Sequence, residues 1–324
     1  MKKAKNILVI GAGAWGTAIA NLLAKNGNQV FLSANDQKII DEIDKKNSNE
    51  RFLPKIKLSK NIIAGADFSE IAKWMDFVFI VTPSSVAAEI FKKISVTNFT
   101  KNCKFVICSK GLEPNSLELL SDAFEKITGN KNYAVLSGPN FAIEVANEVP
   151  TITTIAAKDK KLANAVIAVL NNDHFKAGYF NDPRSAEIFG IVKNIMAIGC
   201  GIVDGLDLGA NAKAALLMKG IYEIRVLCKK LKASDDVVNA AGFGDIFLTC
   251  SSSKSRNNSL GRAIAEGKVI ENKTYEGKTS AKAVAAITKK LKLKLDLCEQ
   301  INEILTHKHS KAEIKSIITK VILR

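Results

Sequence analysis

Lys110 and Lys193 are the residues of this 324-residue chain best set for proton or phosphate chemistry. Lys110 stands in Ser109-Lys110-Gly111, directly after the apolar run 104–108. A lysine at a strand end can polarise a carbonyl or hold a phosphate, and a plain surface lysine is the alternative. Lys193, with Asn194, interrupts the mostly apolar stretch 187–198. Such a lysine either snorkels to solvent or faces a polar pocket. Partial burial and a neighbouring cation would lower its pKa toward that of an acid–base catalyst. Asp245 follows the turn Gly242-Phe243-Gly244. Ser255, Arg256 and Asn257 combine a hydroxyl, a planar guanidinium fork and an amide, a set suited to phosphate. A polar surface loop is the plain alternative. The only histidines are His174, His307 and His309, so a histidine-based triad is not expected. The six cysteines form no CxxC and no cysteine–histidine pattern suited to zinc, so no metal is expected.

These side chains need elements to carry them. The apolar run Ile7-Leu8-Val9-Ile10 breaks into Gly11-Ala12-Gly13-Ala14-Trp15-Gly16, and an amphipathic helix follows over 17–25. Strand, glycine turn and helix in this order form a dinucleotide site. Gly11 turns the chain off the strand, Gly13 admits a pyrophosphate to the backbone, and Gly16 lets the helix pack close. The helix start favours the anion. Strands are expected over 29–34, 61–65, 76–81, 104–108, 133–136, 151–156 and 175–180, alternating with helices over 36–46, 67–73, 84–94, 116–128, 141–147 and 159–170. Alternation of this kind predicts a doubly wound, Rossmann-like α/β domain with a parallel sheet, over residues 1–181. In such a sheet ligands sit beyond the carboxyl ends of the strands. Lys110 and the turn Ser137-Gly138-Pro139-Asn140 fall at those ends. At Asn181-Asp182-Pro183 the texture changes to helical periodicity, with Asp182 as cap and Pro183 in the first turn. Residues 182–324 are expected to form an all-α domain with loops near 205–211, 242–244 and 251–258.

Composition bounds the partners. Hydrophobic residues make up 47% of the chain and the formal net charge is +15. A lysine-rich solvated surface, a phosphate-bearing partner and nucleic acid would each account for that charge. The lysines are scattered and aromatics are only 6%, which ranks nucleic acid last. No apolar run reaches the ~18 to 20 residues of a membrane span, and the basic start has no signal-peptide pattern. The cysteines lie mostly in apolar surroundings, as free thiols do. A cytoplasmic protein is expected.

Taken together, the motifs resemble the NAD(P)-dependent glycerol-3-phosphate dehydrogenases over nearly the whole chain. The resemblance rests on GAGAWGTA at 11–18, SKGL at 109–112, SGPNFA at 137–142, VKN at 192–194, DGLDLGANAKAAL at 204–216, GFGDIFLTC at 242–250, SRN at 255–257 and EG at 276–277. It implies reversible hydride transfer between NAD(P)H and dihydroxyacetone phosphate, giving sn-glycerol 3-phosphate for glycerophospholipid synthesis. It also implies Lys193 as general acid/base. Lys110, Gly138, Asn140, Lys193, Asp245, Ser255, Arg256 and Asn257 would meet the substrate. Gly11, Gly13, Ala14, Trp15, Gly16, Asn35, Lys110, Ala142, Arg256 and Glu276 would meet the cofactor. Members of the family often form homodimers.

Three positions depart from the family pattern. Asn35, followed by Asp36, stands where many bacterial relatives carry Arg or His for the NADP 2′-phosphate. Asp36 either reads the free ribose 2′-hydroxyl of NAD or caps the next helix, so the choice of NAD or NADP stays open. Asn140 replaces a usual Thr or Ser, and Thr274-Tyr275 replaces a small apolar pair. Two alternatives remain at this stage: another two-domain Rossmann dehydrogenase such as a ketopantoate reductase-like enzyme, and a non-catalytic dinucleotide-sensing protein.

Overall fold

Ile7, Leu8 and Val9 are fully buried in the strand that opens the chain. A computed structural model describes residues 3–268 and 275–324; Met1, Lys2 and Thr274 lie outside them. The chain divides into two units, Met1–Glu113 with Leu120–Pro183, and Pro114–Leu119 with Arg184–Arg324.

In the first unit β1 (Asn6–Ile10), β2 (Gln29–Ser33), β3 (Ile62–Gly65), β4 (Phe77–Ile80), β5 (Lys104–Ile107), β6 (Tyr133–Ser137), β7 (Thr151–Ala156) and β8 (Phe175–Phe180) form one sheet. Its order is β3-β2-β1-β4-β5-β6-β7-β8. Between them lie α1 (Ala14–Lys25), α2 (Gln37–Lys46), α3 (Ala87–Val96), α4 (Leu120–Thr128), α5 (Ala142–Ala146) and α6 (Lys160–Leu170). The strand order reverses between β1 and β4, the switch point where a doubly wound sheet opens its crevice. Registers Ile10↔Ser33 and Ile10↔Ile80 bring the ends of β1, β2 and β4 level there.

The sheet departs from the expected all-parallel pattern at one pair: β7 runs antiparallel to β6. The five-residue α5 rises only about 7.5 Å. That is less than half the ~16 Å needed to climb back along the five-residue β6. The next strand therefore starts at the near end. The longer α6 completes a parallel crossover from β7 to β8.

Two expected helices are shorter than the sequence pattern indicated. The 67–73 helix reduces to a 3-10 turn at Ala72–Trp74. Asp67 Oδ1 instead accepts from the N–H and hydroxyl of Ser69, a local turn that competes with helix. The 116–128 helix begins at Leu120, after Leu117 takes a left-handed φ of 59°.

The second unit is helical: α7 (Pro183–Gly205), α8 (Gly209–Lys230), a π-helical turn Ala240–Gly244, α9 (Asp245–Ser251), α10 (Arg256–Ala265), α11 (Glu276–Leu291), α12 (Asp296–Thr306) and α13 (Lys311–Leu323). Among the described residues it contains no strand. α7 is mostly apolar around its circumference and is buried, as a core helix must be, with Lys193 and Asn194 among the polar exceptions. By length and composition it could cross a membrane, against the expectation of no such run. Lys193 and Asn194 concealed it, and its apolar stretch is wholly buried.

α7 and α10 meet backbone to backbone. A Cβ on Gly201 would strike the Asn258 carbonyl, and one on Gly261 would strike the Ile198 carbonyl. α8 and α12 are tied by Glu223, whose carboxylate accepts the N–H groups of Leu297 at 2.5 Å and Cys298 at 3.0 Å. These are among the unpaired amides of the α12 first turn. Burial pushes the Glu223 carboxyl pKa up, and these hydrogen bonds oppose the shift. All six cysteines are free and buried.

Candidate active site

The glycine turn takes the form a dinucleotide needs. Gly11 has φ +111°, and a Cβ there would sit 2.8 Å from the Val81 carbonyl. A Cβ on Gly16 would collide with the Gly11 carbonyl, while one on Gly13 meets nothing within 4 Å. Thus Gly11 and Gly16 are fixed by packing, and the face at Gly13 opens onto free space. The cradle fits a pyrophosphate approaching the start of α1. Ala14 and Trp15 form the first residues of α1, and Trp15 and Ala142 are half-buried against the core of this unit. Gly11 N–H donates to the Ser33 carbonyl at 2.9 Å, binding the end of β2 to the turn.

Asn49, buried in the loop after α2, also holds this turn. Its Nδ2 donates to the Ala12 carbonyl at 3.0 Å and to the Thr17 hydroxyl at 2.8 Å. Asn35 is exposed just beyond β2. Asp36 caps α2, accepting from Lys38 N–H at 3.0 Å. Its other oxygen accepts from Arg51 at 3.0 Å.

The turns after β4, β5 and β6 carry the next candidates. Lys110 is half-buried after β5. The Ser109 hydroxyl donates to the Thr82 carbonyl at 2.5 Å, so the Lys110 turn is stitched to the turn after β4. After β6, Asn140 Nδ2 donates to the Thr153 hydroxyl at 2.9 Å, and that hydroxyl donates to the Ser137 carbonyl at 3.1 Å. A Cβ on Gly138 would press on the same hydroxyl at 2.8 Å. Thr82 Oγ1, Ser137 Oγ and Asn140 Oδ1 are buried without a hydrogen-bond partner. Buried polar atoms normally have partners, so three orphans at the ends of β4 and β6, on either side of β5, mark a place for a polar ligand.

In the second unit Lys193 is buried rather than snorkelling. Its ammonium donates to Asp245 Oδ1 at 2.7 Å and to Thr249 Oγ1 at 2.9 Å. The side chains of Lys193 and Asp245 are 6% and 3% exposed. The neighbour found here is an anion, where the sequence reading looked to a cation. An adjacent carboxylate stabilises the ammonium form and aims its protons. The 242–244 turn before Asp245 is helical rather than a loop, because Asn239 Oδ1 accepts Gly242 N–H at 2.9 Å and starts a π-turn.

Arg256 and Asn257 also lie in a helix rather than in the expected 251–258 loop. Ser255 caps α10 by accepting Asn258 N–H at 3.3 Å, so both fall in its first turn. That end favours an anion, and Arg256 is exposed there. Arg256 lies 4.0 Å from the exposed carboxylate of Glu276. Asn257 is buried: its Nδ2 donates to Asn194 Oδ1 at 3.0 Å and its Oδ1 accepts Gly277 N–H at 3.0 Å. Asn194 in turn donates to Glu276 at 3.4 Å. The structure therefore groups Lys193 with Asp245, and Arg256 and Asn257 with Glu276. Thr249 joins the Lys193 pair, Asn49 the glycine turn and Thr153 the Ser137–Asn140 turn, none with a motif to announce it, although Thr249 lies one helical turn beyond Asp245.

Comparison with known proteins bears on the whole chain. Residues 6–163 match the family model described as NAD-dependent glycerol-3-phosphate dehydrogenase N-terminus, and residues 182–316 match its C-terminus. A protein of Parvibaculum lavamentivorans named glycerol-3-phosphate dehydrogenase [NAD(P)+] is 37% identical over 93% of this chain and 92% of its own. One of the same name from Caulobacter vibrioides is 38% identical, over 92% and 91%. The crystal structure of a glycerol-3-phosphate dehydrogenase from Coxiella burnetii is similar with TM-score 0.92 and 29% identity, covering 99% of both chains.

Proposed function

The chain belongs to the family of NAD-dependent glycerol-3-phosphate dehydrogenases, and on that premise we propose the residues through which it reduces dihydroxyacetone phosphate to sn-glycerol 3-phosphate. The enzyme is an NAD(P)-dependent oxidoreductase. When bound, the nicotinamide cofactor supplies the hydride.

Lys193 gives a proton to the carbonyl oxygen as negative charge develops on it, and takes it back in the reverse direction. Asp245 and Thr249 hold the ammonium in one orientation. The observation that carries this reading is the burial of Lys193 between those two partners. Arg256 and the first turn of α10 supply fixed positive charge for the phosphate. Lys110, Gly138, Asn140, Ser255 and Asn257 complete the substrate contacts. The orphaned Asn140 oxygen supports this, since it suits a substrate hydroxyl. Gly11, Gly13, Ala14, Trp15, Gly16, Asn35, Ala142 and Glu276 serve the cofactor. Residues 1–181 and 182–324 are the dinucleotide-binding and the substrate domains in this proposal.

The six free, buried cysteines support a reducing, cytoplasmic setting. The homodimer of the family is part of the same proposal and is read by sedimentation. The decisive assay follows loss of nicotinamide absorbance with dihydroxyacetone phosphate, using NADH and NADPH in parallel. Oxidation of either supports the reading. No oxidation by protein shown to bind a cofactor would overturn it.

A further inference from the structure

We infer that Arg51 is the contact for the 2′-phosphate of NADP(H), so that the cofactor site accepts the phosphorylated dinucleotide despite the acid at Asp36. The inference rests on reading the glycine turn as the dinucleotide site. In that geometry the segment just past β2 meets the ribose 2′ position. Here that segment offers neutral Asn35 and anionic Asp36, and neither would hold a phosphate alone.

The structure brings a cation to the same place from a different segment. Arg51 Nη1 donates to Asp36 Oδ2 at 3.0 Å. The other oxygen of Asp36 is engaged in capping α2. Asp36 therefore serves the helix and the arginine, and its charge is compensated. A phosphate beside an uncompensated carboxylate would be repelled.

Arg51 is held in place without being used up. It lies between Asn49 and Leu53, both buried, with Leu53 N–H donating to the Asn49 carbonyl at 2.8 Å. Asn49 is bonded to the Ala12 carbonyl within the glycine turn itself. The loop is thus pinned to the cofactor cradle one bond from Gly13. The guanidinium lies over the Phe52 ring, 5.1 Å from its centroid, which fixes its plane. The side chain is 66% exposed. Its fork keeps donors for a phosphate after the one given to Asp36. A lysine-type point charge would lack that second edge.

The test is calorimetric titration of NADP+ and NAD+ into wild type, Arg51→Ala, Arg51→Lys and Asp36→Asn, with melting curves to verify folding. Arg51→Ala is expected to weaken NADP+ about tenfold or more, and NAD+ far less. Arg51→Lys should fall between. Asp36→Asn keeps a good helix cap, removes the carboxylate and should tighten NADP+. Equal weakening of both nucleotides by Arg51→Ala, or of neither, would overturn the inference while leaving the site reading intact. If wild type binds neither nucleotide, the dinucleotide reading itself falls, and the inference with it.

Discussion

The ammonium of Lys193 and the carboxylate of Asp245 lie 2.7 Å apart, with almost no solvent reaching either. A pair this buried is strong only while both members are present. Replacing one leaves an uncompensated buried charge, at a cost of about 3–5 kcal/mol.

Lys193→Met is therefore expected to do two things at once. Turnover falls by about 10²–10⁴-fold through loss of the proton donor, and the melting temperature falls because the buried Asp245 loses the ammonium bonded to it. Adding Asp245→Asn should recover most of the stability and none of the turnover. Paired melting and initial-rate measurements separate the effects. Near-normal turnover in the single variant would remove Lys193 from the chemistry.

The Arg256 side chain is 66% exposed, and exposed ion pairs contribute little, so Arg256→Ala should leave the melting temperature nearly unchanged. The KM for dihydroxyacetone phosphate should rise about tenfold to hundredfold, with kcat altered less. An unchanged KM would move the phosphate site elsewhere.

Thr153 is buried and positions the Ser137–Asn140 turn through two hydrogen bonds. Thr153→Val keeps the volume but removes the hydroxyl that the Ser137 carbonyl and the Asn140 amide share. Substrate KM should rise several-fold, about tenfold at most, while Thr153→Ser restores it. If Val and Ser lower stability and leave both KM values alone, Thr153 is a scaffold residue and not a positioning one.

Glu223 gives a pH signature. Its folded pKa is raised by burial above the unfolded value, so the native state binds the proton more tightly. Stability from this group is full below the ordinary carboxylate range and is lost as pH rises through the raised value. Gln loses one of the two acceptors, so Glu223→Gln starts at a cost, but its stability relative to wild type should rise with pH and then level off. Melting curves from about pH 4 to pH 8 read the difference. A difference that does not change with pH would mean that Glu223 titrates normally.

The sequence exposed most of the fold and the motif-bearing part of the site, for local reasons. The apolar run into Gly11 and the Pro183 helix start both act within a few residues of chain. What escaped was set by distance in sequence. Asn49 reaches Ala12 across 37 residues, and Lys193 reaches Thr249 across 56. No periodicity records such partners. Arg51 belongs to no motif, and its meaning depends on Asp36, which packing alone brings beside it. The reversal of β7 escaped because it depends on the length of α5, and helix ends are the least legible feature of a sequence.

The glycine contact between α7 and α10 has a mechanical consequence. Gly201 and Gly261 leave no side chain between the two backbones, and hence no compressible layer across which the helices could slide. Lys193 rides on one helix and Arg256 on the other. Any motion that carries one helix carries the other, so the proton donor and the phosphate contact proposed on them ride on one rigid backbone pair. Under the proposed roles that pair acts as a ruler for the substrate: a carbonyl phosphate one carbon longer should bind by one end or the other but not by both.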